Sequence, residues 1–332
     1  MKTVRLGVIG LGHWGPNLAR NFHALGALTA LCEARPETRQ RFSADYPHAA
    51  VFLDLRDMLA APEIDAVAIA TPAETHGRIV RSALSAGKHV FVEKPLCLDI
   101  GEARELGAEA ERRQLILMVG HLLLYHPAFV ALKDLVDAGR LGRLRYIYSN
   151  RLSLGKIRRE ENALWSFAPH DVSMILSLTG RMPVRAMTSG GSYLLPAVAD
   201  TTLSHLAFGD DLQAHIFVSW LHPFKDHRLV VVGSEAMASF HDSSVGENKL
   251  LLYPHAVSWN GDLPSVAKAA ATAIEYEQGE PLALECQHFL QCVEQKRAPR
   301  TDSAESLRVL AVLSACQRSL ALGQPVDVMI DA

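Results

Sequence analysis

The chain has 332 residues, 49% apolar and 21% charged, with 33 Lys and Arg against 36 Asp and Glu for a net charge of -3. That length carries two hydrophobic cores, and the composition excludes a disordered or fibrous chain. A near-neutral charge gives no reason to expect a nucleic-acid partner, and no run is apolar enough and long enough to span a membrane. Five cysteines (Cys32, Cys97, Cys286, Cys292, Cys316) form no C-x-x-C pair, which points to a reduced, cytoplasmic protein. The start, Met1 to Ile9, enters a strand at once and shows no signal-peptide pattern.

Val4 to Ile9 reads as a strand, followed by Gly10-Leu11-Gly12-His13-Trp14-Gly15 and a helical stretch to about Leu25. This is G-x-G-x-x-G between strand and helix: Gly10 for the tight turn, Gly12 for close approach of a pyrophosphate, Gly15 for helix packing on the strand. Unpaired N–H groups at the helix start favour phosphate. A second strand, Leu28 to Cys32, ends at Glu33, roughly 20 residues beyond Gly10, where an acid accepts the ribose hydroxyls of NAD. Arg35 keeps NADP open, since an arginine there accommodates a 2'-phosphate.

Asp54 to Leu59 reads as a short helix, Ala66 to Ala70 as a buried strand stopped by Thr71-Pro72, and Ala73 to Ala86 as a helix capped by Gly87. Next comes the run Lys88-His89-Val90-Phe91-Val92-Glu93-Lys94-Pro95, a strand that delivers an acid and a base to its C-terminal end. Open α/β sheets bind ligands at that end. Asp99 to Arg113 suits a helix and Leu115 to Val119 another strand. Such alternation predicts an α/β Rossmann domain over residues 1–121, with Thr71, Pro72 and His76 bordering the cofactor. His76 fits equally well as an ordinary helix-start residue.

From 122 to 332 the pattern changes. A helix is expected over Ala128 to Ala138 and strands over Leu144–Leu152, Val184–Ser189, Thr201–Phe208, Leu212–Trp220, Arg228–Val232, Met237–Phe240 and Leu250–Tyr253, with Gly209-Asp210-Asp211 as one connecting turn. The prediction is an α+β domain with a large, mainly antiparallel open sheet. Helices at Pro169–Leu178, Leu282–Glu294 and Ser303–Leu320 should cover one face. The other face then calls for a partner, as in a homodimer or homotetramer. Residues 256–280 fit no element.

Oxidising an alcohol next to a nicotinamide needs a group for the hydroxyl proton. Lys94 at the strand end and His170 in Ala168-Pro169-His170-Asp171 are the candidates: an imidazole acts as a base near neutral pH, and an ammonium stabilises an oxyanion or relays the proton. Glu93 orients Lys94 or contacts ribose. The histidines form no H-E-x-x-H or other ligand pattern, so no metal is called for.

The Gly-rich turn, Ala70-Thr71-Pro72 with His76, the run through Glu93-Lys94-Pro95, and His170 ten residues before Gly180 together resemble the Gfo/Idh/MocA oxidoreductase family over essentially the whole chain. The resemblance implies a Rossmann cofactor domain, a substrate domain whose open sheet serves oligomer contacts, a working lysine at Lys94 and a histidine at His170. Many members carry an aspartate four residues before that histidine, where this chain has Ser166. The stretches Tyr148–Arg159 and Ser219–Lys225 are similar to those of nucleotide-sugar dehydrogenases, which oxidise the 3-hydroxyl of a UDP-N-acetylhexosamine or its uronate. This finer likeness implies a substrate-contacting set of Lys94, Tyr148, Asn150, Lys156, Arg158, Arg159, Trp165, Ser166, His170 and Lys225, with cations for a diphosphate and Trp165 or Trp220 as a flat wall. The cofactor set is Gly10, Gly12, His13, Trp14, Gly15, Glu33, Arg35, Thr71, Pro72, His76, Glu93 and Lys94. Dehydrogenation of a free sugar or inositol, and a non-catalytic NAD-binding regulator, are the alternatives.

Overall fold

The computed structural model describes residues 4–209 and 211–330, so Asp210 of the expected turn lies outside the described residues. The chain forms two compact units, residues 4–125 with 279–310 and residues 126–278 with 311–330. The boundary expected at 121/122 is therefore corrected in one respect: a C-terminal segment returns to the first unit.

In the first unit, β1 (Leu6–Ile9), α1 (Gly15–Ala24), β2 (Leu28–Cys32), α2 (Pro36–Asp45), β3 (Ala50–Phe52), α3 (Leu55–Ala60), β4 (Ala66–Ile69), α4 (His76–Ser85), β5 (His89–Glu93), α5 (Ile100–Arg112) and β6 (Leu117–Gly120) alternate along the chain. The six strands lie parallel in the order β3-β2-β1-β4-β5-β6, the doubly wound arrangement whose crevice opens at the strand C-termini. Leu6, Val8, Val67, Ile69, Val90 and Val92 are fully buried, as continuous apolar runs in a sheet covered on both faces must be. The sequence reading missed α2 and β3. α2 is polar, with Phe42 as its one buried residue, and so carries little apolar periodicity.

The second unit begins with α6 (Pro127–Asp137), β7 (Leu144–Leu152), α7 (Ala163–Thr179), β8 (Arg185–Gly191), β9 (Thr201–Ala207), β10 (Gln213–Ser219), β11 (Asp226–Gly233), β12 (Met237–His241) and β13 (Leu250–Tyr253). The unplaced stretch then supplies β14 (Ala256–Asn260), β15 (Leu263–Ala267) and β16 (Thr272–Ala273). α8 (Pro281–Gln295) belongs to the first unit, α9 (Ser303–Leu322) follows, and β17 (Val326–Asp327) completes a nine-stranded sheet in the order β16-β13-β12-β11-β7-β10-β9-β8-β17. Its pairs are antiparallel except for β7 with β10. β14 and β15 form a separate hairpin.

Strand alternation divides this sheet cleanly. Ile147, Ile216, Leu206, Val231 and Phe240 are buried; Phe240 meets Phe129 of α6, and the backbone of Thr188 meets Ser319 of α9. Tyr146, Met187 and Leu203 on the other face are exposed. The expected role of residues 282–294 as a cover for this sheet is wrong. Phe289 of α8 packs edge-on against Phe22 and Phe91 in the first unit. α7 also starts earlier than expected, because Asn162 caps it by accepting from the Trp165 N–H, leaving Pro169 inside the helix. There the proline withholds the N–H that the carbonyl four residues back would accept.

Candidate functional site

In the first unit the turn after β1 is shaped for a phosphate. Gly10 has a φ of +85°, and a Cβ on Gly15 would collide with the Gly10 carbonyl, so turn and helix fit only without side chains. A Cβ on Gly12 would meet nothing nearer than Arg35 Nη2 at 3.9 Å, which leaves room above it for a ligand. Glu33 at the end of β2 accepts from the Leu11 N–H at 2.9 Å and from Arg35 Nε and Nη2 at 2.9 and 3.0 Å. The Arg35 fork holds its carboxyl down at about 2. A cavity of about 480 Å³ joins Gly10, Gly12, Glu33, Arg35, Thr71 and Pro72, and adds Leu53, Leu55 and Arg78, which sequence reasoning did not select. The open glycine face, the helix start and the ribose-reaching acid fit a dinucleotide. His13 is exposed and Trp14 half-buried in the same turn.

Of the two readings of His76, the helix-start one holds, since α4 begins at it. It is 2% exposed, and its ring nitrogens lie 2.7 Å from the Pro95 carbonyl and 2.9 Å from the Thr71 carbonyl. It braces the two turns at the ends of β4 and β5 instead of facing a ligand. The Lys94–Pro95 peptide beside it is cis.

Glu93 ends β5 opposite Gly120, and a Cβ on that glycine would sit 3.1 Å from Glu93 Oε2. Desolvation pushes the Glu93 carboxyl up to about 7, opposed by Lys94 and the Trp14 indole. Behind it lie three groups the sequence reading passed over. His121 Nδ1 is 2.6 Å from Glu305 Oε2, and Glu285 of α8 is wholly buried, its carboxyl pushed well above the usual range by burial and by Glu93 and Glu305. One signal was present: Leu282, Glu285, Cys286, Phe289 and Cys292 form a helical stripe that buries an acid among apolar neighbours.

In the second unit, Ser166 and His170 stand one turn apart on α7, Ser166 buried and His170 half-buried. Asp171 is not available to His170 as a base partner. It accepts from Ser149 and from Arg151 Nε and Nη2 at 2.8 and 3.2 Å. Arg151 also lies 3.8 Å from Asp242, which has His227 at 3.6 Å. Burial works to raise Asp242, but the His227 hydrogen bond and the charges of Arg151 and His126 hold it well below the usual carboxylate range.

Because Ser149 and Arg151 face α7, Tyr148 and Asn150 point from the opposite face of the sheet. There Tyr148 stacks on His215 and Asn150 donates to Asp226. The two do not share a face with His170, contrary to the expected set. Trp220 is core, its indole N–H donated to Asp200, and Trp165 is half-buried, donating to Gln317. The four cations lie on loops at one end of the sheet. The chain leaving β7 hydrogen-bonds that leaving β10, through Ser153 N–H to Ser219 and Gly155 N–H to Trp220. Lys156, Arg158 and Arg159 therefore leave the same sheet end as Lys225, which precedes β11. Arg158 is paired with Glu161, while Lys156, Arg159 and Lys225 are exposed.

Comparison with known proteins adds the following. The Gfo/Idh/MocA family model, an oxidoreductase family with an NAD-binding Rossmann fold, matches residues 4–121, and the family's C-terminal domain model matches residues 129–239. UDP-N-acetylglucosamine 3-dehydrogenase of Acidithiobacillus ferrooxidans is 29% identical over 94% of this chain and 95% of its own. Its solved structure aligns with a TM-score of 0.85 at 28% identity, covering 97% of this chain and 99% of that one. The NAD(+)-dependent scyllo-inositol 2-dehydrogenase of Bacillus subtilis is 25% identical over 98% of this chain and 96% of its own. An oxidoreductase-like structure from Magnetospirillum magnetotacticum is 32% identical with a TM-score of 0.82, covering 95% of this chain and 100% of that one.

Proposed function

Because the chain belongs to the Gfo/Idh/MocA oxidoreductase family, we propose that it oxidises the 3-hydroxyl of a UDP-N-acetylhexosamine, UDP-N-acetylglucosamine or its uronate, to the 3-keto sugar with NAD. The observation that carries the substrate class is that Lys156, Arg159 and Lys225 stand exposed on loops leaving one end of the nine-stranded sheet, which supplies cations suited to a diphosphate. The relative from Acidithiobacillus ferrooxidans supports the same reading.

A bound nicotinamide supplies the hydride acceptor. The chain's own residues handle the proton. The imidazole of His170 takes the hydroxyl proton as the carbon loses its hydride, and the Lys94 ammonium, oriented by Glu93, stabilises the developing oxyanion. Ser166 carries no charge to fix the imidazole, so His170 works without an adjacent carboxylate at that position. Glu33 favours NAD, since NADP requires Arg35 to leave its fork for the 2'-phosphate. The exposed sheet face with Tyr146, Met187 and Leu203 is assigned to homodimer or homotetramer contacts.

A second reading, oxidation of a free inositol or sugar, is favoured by the Bacillus subtilis relative and by the pairing of Arg158 with Glu161, which takes one cation from the diphosphate. NADH formation by the purified protein with UDP-sugars, free sugars and inositols separates the two. Turnover with a UDP-N-acetylhexosamine is expected; turnover with inositol and with no UDP-sugar overturns the first reading.

A further inference from the structure

The mechanism leaves unused the buried acid of α8. Phe289 touches Phe91 with ring centroids 5.8 Å apart. Glu93 lies two residues beyond Phe91 on the same strand face, and Glu285 lies one helical turn before Phe289. The packing that joins the rings therefore sets the two carboxyl groups on facing surfaces. Glu285 has no solvent exposure, and neither of its oxygens has a hydrogen-bond partner among the described residues. Its charged surroundings are Glu93 from β5 and Glu305 from α9, with Tyr125 from the turn after β6 and Cys286 from its own helix. Around these stand Lys94 beside Glu93, His121 on Glu305 and Arg300 over the Tyr125 ring. An ionised carboxylate facing two acids without a hydrogen bond is strongly disfavoured.

We propose that Glu285 is a positioning residue: a carboxylic acid behind Glu93 that, by staying uncharged, leaves Glu93 as the ionised partner that orients Lys94. The order of titration follows from burial and the neighbouring charges. Glu93, near the strand end and next to Lys94, loses its proton at about 7. Glu285, with no cation among the described residues to oppose its burial, then faces a charged Glu93 and holds its own proton more firmly. Were Glu285 ionised first, its charge would drive Glu93 to the neutral form and remove the anchor of Lys94.

The proposal rests on the assigned role of Lys94 only in its kinetic arm. Infrared spectroscopy of the whole protein tests it without substrate. The carbonyl band of a protonated carboxylic acid is expected to persist well above the ordinary carboxylate range and to vanish in Glu285→Gln; a band that titrates away in that ordinary range overturns it. In the kinetic arm, the Glu93 limb of the pH–kcat/KM profile is expected to stay in place in Glu285→Gln, which is uncharged like the acid it replaces. A limb that moves down by about one pH unit in that variant, a tenfold change in proton affinity, means that Glu285 had carried a charge and overturns the proposal. Absence of turnover with every alcohol sinks the functional reading alone: the infrared arm still decides, and the limb is then read from the pH dependence of NAD affinity. Glu285→Met, equally uncharged, serves if the Gln variant does not fold.

Discussion

Asp171 and Asp242 in the sheet unit meet the buried guanidinium of Arg151, which forks onto one and reaches the other. Glu285 in the nucleotide unit instead has the acids Glu93 and Glu305 around it, with Lys94 as the cation acting on Glu93. Asp171 and Glu285 are buried and Asp242 and Glu93 half-buried, yet the shifted carboxyls move in opposite directions: Asp242 below its usual range, Glu93 and Glu285 above it. Burial alone therefore does not set the charge state of these acids. A paired acid stays ionised and holds structure; an acid among acids keeps a proton and is available to chemistry.

Breaking the paired side should have the largest effect. Arg151→Met leaves the buried Asp171 without its cation and should cost about 3–5 kcal/mol of unfolding free energy in a urea titration. Adding Asp171→Leu should restore part of that loss, and no recovery would show that Arg151 acts mainly through packing. On the other side, Lys94→Ala should lower kcat by about 10²–10⁴-fold with little change in NAD affinity. Equal loss in rate and binding would make Lys94 a cofactor-binding residue.

The pH dependence sharpens the contrast. Glu93 titrates at about 7 in the folded chain against an ordinary 4.5, so between those values the folded state holds a proton the unfolded state has lost. Its contribution to stability must fall as pH rises through that window. Glu33 titrates at about 2 against 4.5, so its contribution is present above 4.5 and fades as pH falls toward 2. Thermal unfolding across both windows should show Glu93→Gln flattening the upper slope and Glu33→Gln the lower one. The smallest effect is expected for Arg35→Ala, which releases Glu33 from its fork and should raise the NAD over NADP preference several-fold in paired binding titrations. A shift toward NADP would assign Arg35 a different role.

Much of the nucleotide unit was legible because its signals are local. Gly10, Gly12 and Gly15 answer steric demands within a few residues, and Glu33 sits at the distance one strand–helix–strand unit imposes. Lys94 was legible too, since a strand ending in Pro95 announces its own edge. The helix carrying His170 was found but started too late. Pro169 suits a first turn, and only the cap at Asn162 places it in the interior. For His76 the sequence left two readings open, because local position does not reveal that Pro95 and Thr71 would both turn a carbonyl toward it.

By itself the sequence determined the parallel nucleotide fold, the antiparallel alternation of the second sheet and the placing of Lys94 at a strand end, because periodicity and turn chemistry act over a few residues. Tertiary structure decided which acids share a space. Residues 279–310 return to the first unit and bring Glu285 and Glu305 to the back of Glu93. One pleat separates Arg151, which binds Asp171, from Asn150, which faces the other way. These contacts join residues far apart in the chain, and the electrostatic environment they create exists only once the packing has excluded water.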